Sequence, residues 1–222
     1  MENKSQEIQS LFSEWENDKI HDQNTFIRDG IINIEFWKST KIKILLLCKE
    51  AYTKGNGKFT MSEEISDSAP YRNWWSAARW VYGIRQILEG KNLHPNYPNL
   101  TWEEGNELLC GTAVVNLKKS NGIPNSNYSD IDFYFNNDKS RLKKQIDIIN
   151  PDIVLCGRVF NYYRAIYESD NLSIIQDSEK CYFHGNRIII NFWHFANRIG
   201  KVPVFNELIQ IINNPIIIER FK

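Results

Sequence analysis

The sequence predicts an α/β fold in which a parallel sheet is covered by helices on both faces. Four short, mostly apolar segments end abruptly in polar residues, at residues 42–48, 112–117, 151–158 and 187–192. Segments with the apolar spacing of helices alternate with them along the chain. Continuously apolar strands are typical of parallel sheets that are buried on both faces, and helices supply the connections between such strands.

The first helix and first strand are the clearest elements. Residues 5–18 place Ile8, Leu11, Phe12 and Trp15 at helical spacing. The strand at residues 42–48 follows an Asp-Gly turn signal. After it comes a polar segment, 53–72, with little periodicity. Loops of that length in a compact domain are often functional.

The remaining elements are bounded by helix caps and turns. A helix at residues 73–90 is closed by Gly90, and Thr101 opens the next helix with a Thr-x-x-Glu capping box. Further helices are predicted at residues 140–149, 158–167 and 203–213. A hairpin turn at His184-Gly185-Asn186 precedes the last strand.

The composition predicts one globular domain over residues 1–222, on which an N-terminal helix at roughly 4–18 packs. The 27 basic and 27 acidic residues balance. This balance counts against a protein that coats nucleic acid, although not against a local basic patch. We expect a monomer.

The cysteines do not predict a metal site. Cys48, Cys110, Cys156 and Cys181 are far apart, whereas zinc and iron–sulfur sites usually contain a close pair. The N-terminal residues lack the apolar stretch of a signal peptide, and no apolar run is long enough to span a membrane. We expect a cytoplasmic protein without a metal, a cofactor or membrane contact.

Polar residues follow each of the four strands, where the functional crevice of a parallel sheet lies. In strand order they are Lys49, Glu50 and Tyr52; Asn116, Lys118, Lys119 and Asn121; Gly157 and Arg158; and Trp193, His194, Asn197 and Arg198. Taken singly, each has an ordinary structural role, such as a solvated carboxylate or a turn-forming asparagine. Together they favour a functional site.

Cleavage of a glycosidic bond suits this set of residues. A carboxylate can stabilise an oxocarbenium-like transition state and orient water. A histidine or amide donor can stabilise the negative charge on a leaving group. An asparagine can bind a base edge through one donor and one acceptor, and cations can hold phosphates.

Three motifs resemble those of the uracil-DNA glycosylase superfamily. "ILLLCKEAYTKG" resembles its first motif, a strand followed by GQDPYH or GEAPG, which places Glu50 on the water-activating acid and Tyr52 on the pocket tyrosine. "AVVNLKKSNG" is similar to the strand that ends in the base-reading asparagine, here Asn116. "IIINFWHFANR" is similar to the strand ending in an HPS-type motif, which places His194 on the catalytic histidine.

The rest of the sequence matches the pattern of this superfamily only in part. "INPDIVLCGR" resembles the strand between the last two motifs. Ala51 stands where the family usually has proline, and Phe195-Ala196 stand where it has Pro-Ser. Arg198 or Ile199 occupies the position of the leucine that wedges the duplex.

The resemblance implies a three-layer α/β/α sandwich with a central, mainly parallel four-stranded sheet. It also implies a monofunctional DNA glycosylase that flips a base out of the stack and hydrolyses its bond to the sugar. Glu50 and His194 would be catalytic. The base would be bound by Asn116, Tyr52, Phe59 and Tyr71, and the DNA backbone by Lys118, Lys119, Arg158 and Arg198.

The identity of the base stays open at this stage. Uracil is the family default, whereas a deaminated purine or a hypermodified phage pyrimidine would suit the long 53–72 segment. A bulkier base would make this an enzyme of phage defence, and the choice between repair and defence stays open with the base. Two alternatives to a DNA glycosylase are an enzyme that processes free nucleosides or nucleotides and a catalytically inactive module that binds DNA or a base.

Overall fold

Helices cover both faces of one sheet in the computed structural model, which describes residues 2–52, 58–66, 74–168, 172–197 and 199–222. The predicted α/β class is therefore confirmed. No helix among these residues is long and apolar enough to cross a membrane.

The sheet has seven strands in the described part of the chain, in the order β1-β3-β2-β4-β7-β6-β5. They are β1 (Gly30–Ile31), β2 (Ile44–Cys48), β3 (Thr112–Asn116), β4 (Ile153–Gly157), β5 (Ser173–Ile174), β6 (Cys181–His184) and β7 (Arg187–Phe192). The four central strands are parallel, and the strands added at both edges are antiparallel.

The prediction of a four-stranded, mainly parallel sheet is wrong. Three of the six neighbouring strand pairs are antiparallel. The two outermost strands, β1 and β5, contain two residues each, which is too short for an apolar alternation to identify them. The sequence shows the hairpin of β6 and β7 only through its turn.

Nine helices lie in the described ranges. They are α1 (Glu2–Glu16), α2 (Ile34–Ser39), α3 (Met61–Ser66), α4 (Trp74–Leu88), α5 (Trp102–Cys110), α6 (Tyr128–Ile149), α7 (Phe160–Ile166), α8 (Lys201–Ile212) and α9 (Pro215–Glu219). The predicted N-terminal helix packs against α6. The capping box at Thr101 is confirmed, since its side chain accepts from the backbone N–H of Glu104.

The segment 53–72, predicted to be a loop, contains α3. Thr60 and Glu63 cap this helix: Thr60 Oγ1 accepts from the Glu63 backbone N–H at 3.1 Å, and Glu63 Oε2 accepts from the Thr60 backbone N–H at 2.7 Å. This reciprocal pair is the same Thr-x-x-Glu capping box that identifies α5 in the sequence. Six helical residues are too few to show helical periodicity, so the capping box was the sequence feature that could have predicted α3.

Alternation along β2 divides the core between the two faces of the sheet. Ile44 and Leu46 pack with α3, α4, α5 and α8, whereas Leu45 and Leu47 pack with α1, α6 and α7. Every residue of β2, β3 and β4 is buried, as expected for strands covered on both faces. The carboxyl ends of the four parallel strands meet at one edge, where Cys48 pairs with Asn116 and Gly157 with Phe192.

Candidate active site

A cavity of about 580 Å³ lies at this carboxyl edge. It is lined by six of the residues that the sequence predicted: Glu50, Tyr52, Phe59, Asn116, Arg158 and His194. The parallel register explains why they meet, because the side chains that follow β2, β3, β4 and β7 all emerge at the same edge. Tyr71 and Arg198 lie outside the described residues.

Glu50 is enclosed, with only 4% of its side chain exposed. Its Oε2 lies 3.4 Å from Nζ of Lys118. Its Oε1 is buried and has no hydrogen-bond partner among the described residues. Buried polar atoms are normally paired in folded proteins, so an unpaired carboxylate oxygen in a cavity is suited to binding a ligand or a water molecule.

A glycine in the loop after β3 makes room for Glu50. The backbone N–H of Gly122 donates to the carbonyl oxygen of Ala51 at 2.7 Å, which ties this loop to the residue after Glu50. A Cβ atom on Gly122 would lie 2.5 Å from both Cγ and Cδ of the glutamate. Any side chain at this position would therefore displace the carboxylate.

Lys118 lies beside Glu50 with 9% of its side chain exposed, and it also forms an ion pair with Asp130. Burial alone would lower the pKa of Lys118, but the hydrogen bond to Asp130 and the charge of Glu50 outweigh burial and raise the pKa. The lysine therefore stays charged and neutralises the buried glutamate. Such burial argues against the predicted contact of Lys118 with the DNA backbone.

Lys119 requires a correction, because its side chain is completely buried and cannot reach a DNA backbone. Its Nζ donates to Oδ1 of Asp29 at 2.6 Å and to Oε1 of Gln145 at 2.9 Å. Successive side chains of an extended chain point to opposite faces, so two adjacent lysines have different environments. The sequence does not reveal which of them points into the core.

Asn116 is held by the same aspartate. Its backbone N–H and its Nδ2 both donate to Oδ2 of Asp29, at 2.7 and 3.2 Å. An asparagine side chain has two N–H donors and one carbonyl acceptor. The contact with Asp29 fixes the amide and leaves one N–H and Oδ1 for a ligand, which is the pair needed to bind a base edge.

His194 is neutral and has a defined tautomer. The backbone N–H of Ala196 donates to its Nδ1 at 3.1 Å, so the ring proton is on Nε2. Burial and the positive charges of Lys49 and Arg158 lower the pKa of His194 to about 4. Near neutral pH the ring is thus a neutral N–H donor in the cavity.

The histidine ring is fixed by packing. Phe195 stacks on it with a centroid distance of 4.3 Å, and Trp74 stacks on Phe195 at 4.5 Å. A Cβ atom on Gly157 would lie 3.1 Å from Cδ2 of His194 and 3.3 Å from the carbonyl oxygen of Leu47. The absence of a side chain at Gly157 therefore allows β4 and the histidine to approach closely.

The cavity rim combines cations and exposed apolar side chains. Arg158 has φ of 60°, in the left-handed region, and its guanidinium lies 4.6 Å from the ring of Trp193. Tyr52 is 47% exposed at the rim, whereas Phe59 is half-buried and packs against the core. Ile199, which the resemblance considered as the wedge, also lines the cavity and is 44% exposed.

Glu64 of α3 and Trp74 of α4 are among the cavity residues that sequence reasoning missed. Burial raises the pKa of Glu64, although a hydrogen bond from the Trp74 side chain opposes this. Both residues belong to the region around segment 53–72, which was predicted without regular structure. The Thr60 capping box was the one signal for a helix there.

The described residues contain no group of three or more histidine, cysteine, aspartate or glutamate side chains that could hold a metal ion. All four cysteines are buried. Burial raises the pKa of Cys48 and of Cys156, so neither thiol is activated as a nucleophile.

Comparison of the chain with protein-family models, with curated proteins and with solved structures finds no match.

Proposed function

We propose that the protein is a monofunctional DNA glycosylase of the cytoplasm, which binds a flipped uracil or other modified base and hydrolyses its N-glycosidic bond. One observation carries the proposal: a buried carboxylate with an unpaired oxygen, Glu50, shares a cavity with a neutral histidine donor, His194. Glycoside hydrolysis needs one group for water and the sugar cation, and another for the leaving group.

Glu50 acts on the sugar side of the bond. Its Oε1 accepts a hydrogen bond from water, which adds to the anomeric carbon as the bond to the base nitrogen breaks. The carboxylate stabilises the positive charge that develops on the sugar and takes the proton that the water loses. Lys118 holds Oε2, which leaves Oε1 for the water.

His194 acts on the leaving base. The electron pair of the broken bond departs with the base, and its negative charge spreads to a carbonyl oxygen. The Nε2–H of the neutral imidazole donates to that oxygen. Asn116, fixed by Asp29, binds the edge of the base through its remaining N–H and Oδ1.

A panel of oligonucleotides tests this proposal. The strands carry uracil, hypoxanthine, xanthine, or hydroxymethylated or glucosylated cytosine, and alkaline cleavage reports abasic sites. We expect the wild type to cleave at one of these bases and Glu50→Gln to be slower by about 100-fold or more, as for the loss of a general base. Glu14→Gln, on an exposed face of α1, is the matched control and should retain full activity.

The same panel separates the alternatives. Hydrolysis of free nucleosides, with no cleavage of oligonucleotides, would favour a nucleoside-processing enzyme. DNA binding without cleavage, unchanged by Glu50→Gln, would favour an inactive binding module. Cleavage at uracil or a deaminated purine would indicate DNA repair, and cleavage at a hypermodified cytosine would indicate phage defence.

A further inference from the structure

The cavity contains a second carboxylate, Glu64, for which the proposed hydrolysis has no role. The residue is half-buried on α3 and lines the cavity. Trp74, the first residue of α4, lines the same cavity. No lysine or arginine pairs with Glu64 in the part of the chain that the structure describes. Among the described residues, therefore, no cation neutralises this carboxylate.

The position of Glu64 is fixed by its helix. The backbone N–H of Met61 donates to the carbonyl oxygen of Arg28 at 2.9 Å, and Oγ of Ser62 donates to that of Ile32 at 2.6 Å. The Thr60–Glu63 capping box holds the first turn. A side chain presented by an anchored element is preorganised for binding, so little entropy is lost when it contacts a ligand.

Aromatic rings connect Glu64 with the histidine of the site. The indole of Trp74, which lies near Glu64, stacks on Phe195, and Phe195 stacks on His194. A base whose carbonyl oxygen accepts a hydrogen bond from His194 would thus lie beside this row of aromatic rings, with Glu64 at its other end. The cavity volume of about 580 Å³ is within the range that holds drug-sized ligands, which leaves room for a substituent on the base.

We propose that Glu64 makes the cavity prefer modified bases that carry an amino substituent over those of equal size that carry a neutral one. The inference rests on the proposed function, since it concerns the same cavity. A carboxylate without a cation partner binds an N–H donor more strongly than a neutral acceptor does, most of all when the donor is charged. An acidic substituent would be repelled.

Two modified bases of equal size test the selection. One oligonucleotide carries 5-aminomethyluracil and the other 5-hydroxymethyluracil, which differ by an amino group in place of a hydroxyl group. Binding of each to Glu50→Gln is measured by fluorescence anisotropy, because this variant should bind without turnover. We expect a preference for the amine of about tenfold or more, the size of a charge-assisted hydrogen bond.

The double variant Glu50→Gln/Glu64→Gln should lose this preference. Glutamine keeps the shape of the side chain but removes its charge. Glu50→Gln/Glu63→Gln is the matched control on the same helix, where glutamine still suits a capping box, and it should keep the preference. Equal binding of both strands, or a preference unchanged by Glu64→Gln, would overturn the role of Glu64.

Cleavage by the wild type separates this inference from the proposed function. If the wild type cleaves neither strand of this pair nor any strand of the panel, the glycosylase proposal fails, while the binding ratio still decides the role of Glu64. If the wild type cleaves DNA but the ratio does not respond to Glu64→Gln, only the amine selection fails.

Discussion

Gly122 determines where the proposed catalytic carboxylate lies, because Glu50 fills the space that a side chain at this position would occupy. We predict that Gly122→Ala lowers the cleavage rate about as much as Glu50→Gln does, about 100-fold. A Cβ atom only 2.5 Å from Cδ of Glu50 must push the carboxylate away from Lys118. Single-turnover rates measure the loss, and circular dichroism checks that the fold persists.

The control for this prediction is Gly105→Ala in α5. Its Cβ atom would meet the ring of Trp75 at 3.3 Å, away from the Glu50 carboxylate, so cleavage should be unchanged. Full activity of Gly122→Ala would show that the position of Glu50 is not important for the reaction.

His194 should not titrate in the neutral range. Its pKa in the folded protein is about 4, against an ordinary value of 6.5, so the ring stays neutral from pH 8 down to about pH 5. The pKa of His194 is lower in the folded protein than in the unfolded chain. Between pH 4 and pH 6.5 the unfolded chain therefore binds more protons than the folded protein. The stability contributed by the neutral ring is complete above pH 6.5 and is lost as the pH falls towards 4.

NMR titration of the four histidine rings measures this directly, with His194→Gln identifying the signal. We expect the chemical shifts of His194 to be constant above about pH 5. A midpoint near 6.5 would contradict the neutral donor assigned to this residue.

At the scale of secondary-structure elements, a buried ion pair connects the segment after β3 with the residue before β1, and α6 contacts both partners. Lys119 and Asp29 are both fully buried, and Gln145 of α6 contacts both. We predict that Lys119→Met destabilises the protein by about 3 kcal/mol, because Asp29 is left as an uncompensated buried charge. Urea unfolding measures the loss, and Lys144→Met, exposed on α6, should be near neutral.

Asp29→Asn added to Lys119→Met should recover part of this stability, because it removes the stranded charge. A loss no larger than that of Lys144→Met would contradict the buried ion pair. If Lys119→Met instead weakened the salt dependence of DNA binding without affecting stability, the result would support the predicted contact of Lys119 with the DNA backbone.

The elements that the sequence predicted correctly are those with a strong local signal. The four central strands are continuous apolar runs, and Glu50, Asn116 and His194 were found because each follows one of them. Strands β1 and β5 and helix α3 are too short for periodicity to identify. The environments of Lys118 and Lys119 depend on which face each side chain takes, and this is set by tertiary packing.

Glu64, Trp74 and Gly122 could not be identified as site residues from the sequence for a related reason. Glu64 and Trp74 reach the cavity from α3 and α4, Gly122 approaches Glu50 from the loop after β3, and none of them directly follows a predicted strand. Their approach depends on how these elements fold back over the sheet, as in the hydrogen bond between Gly122 and Ala51.

The molecule as a whole has balanced charge, and the lysine and arginine residues near the cavity act through local contacts. Lys49 and Arg158 line the cavity and lower the pKa of His194. Lys118 is engaged by Glu50 and Asp130, and Lys119 by Asp29. Such a distribution suits a protein that engages DNA at one site rather than along an extended basic face.

The measurement that tests the central claim most directly is the mass-spectrometric detection of free base released from DNA. Wild type, Glu50→Gln and Glu14→Gln are incubated with the best oligonucleotide of the panel. We predict one free base for each abasic site with the wild type and Glu14→Gln, and release slower by about 100-fold or more with Glu50→Gln. Abasic sites without free base, or equal release by Glu50→Gln, would contradict hydrolysis of the glycosidic bond at this cavity.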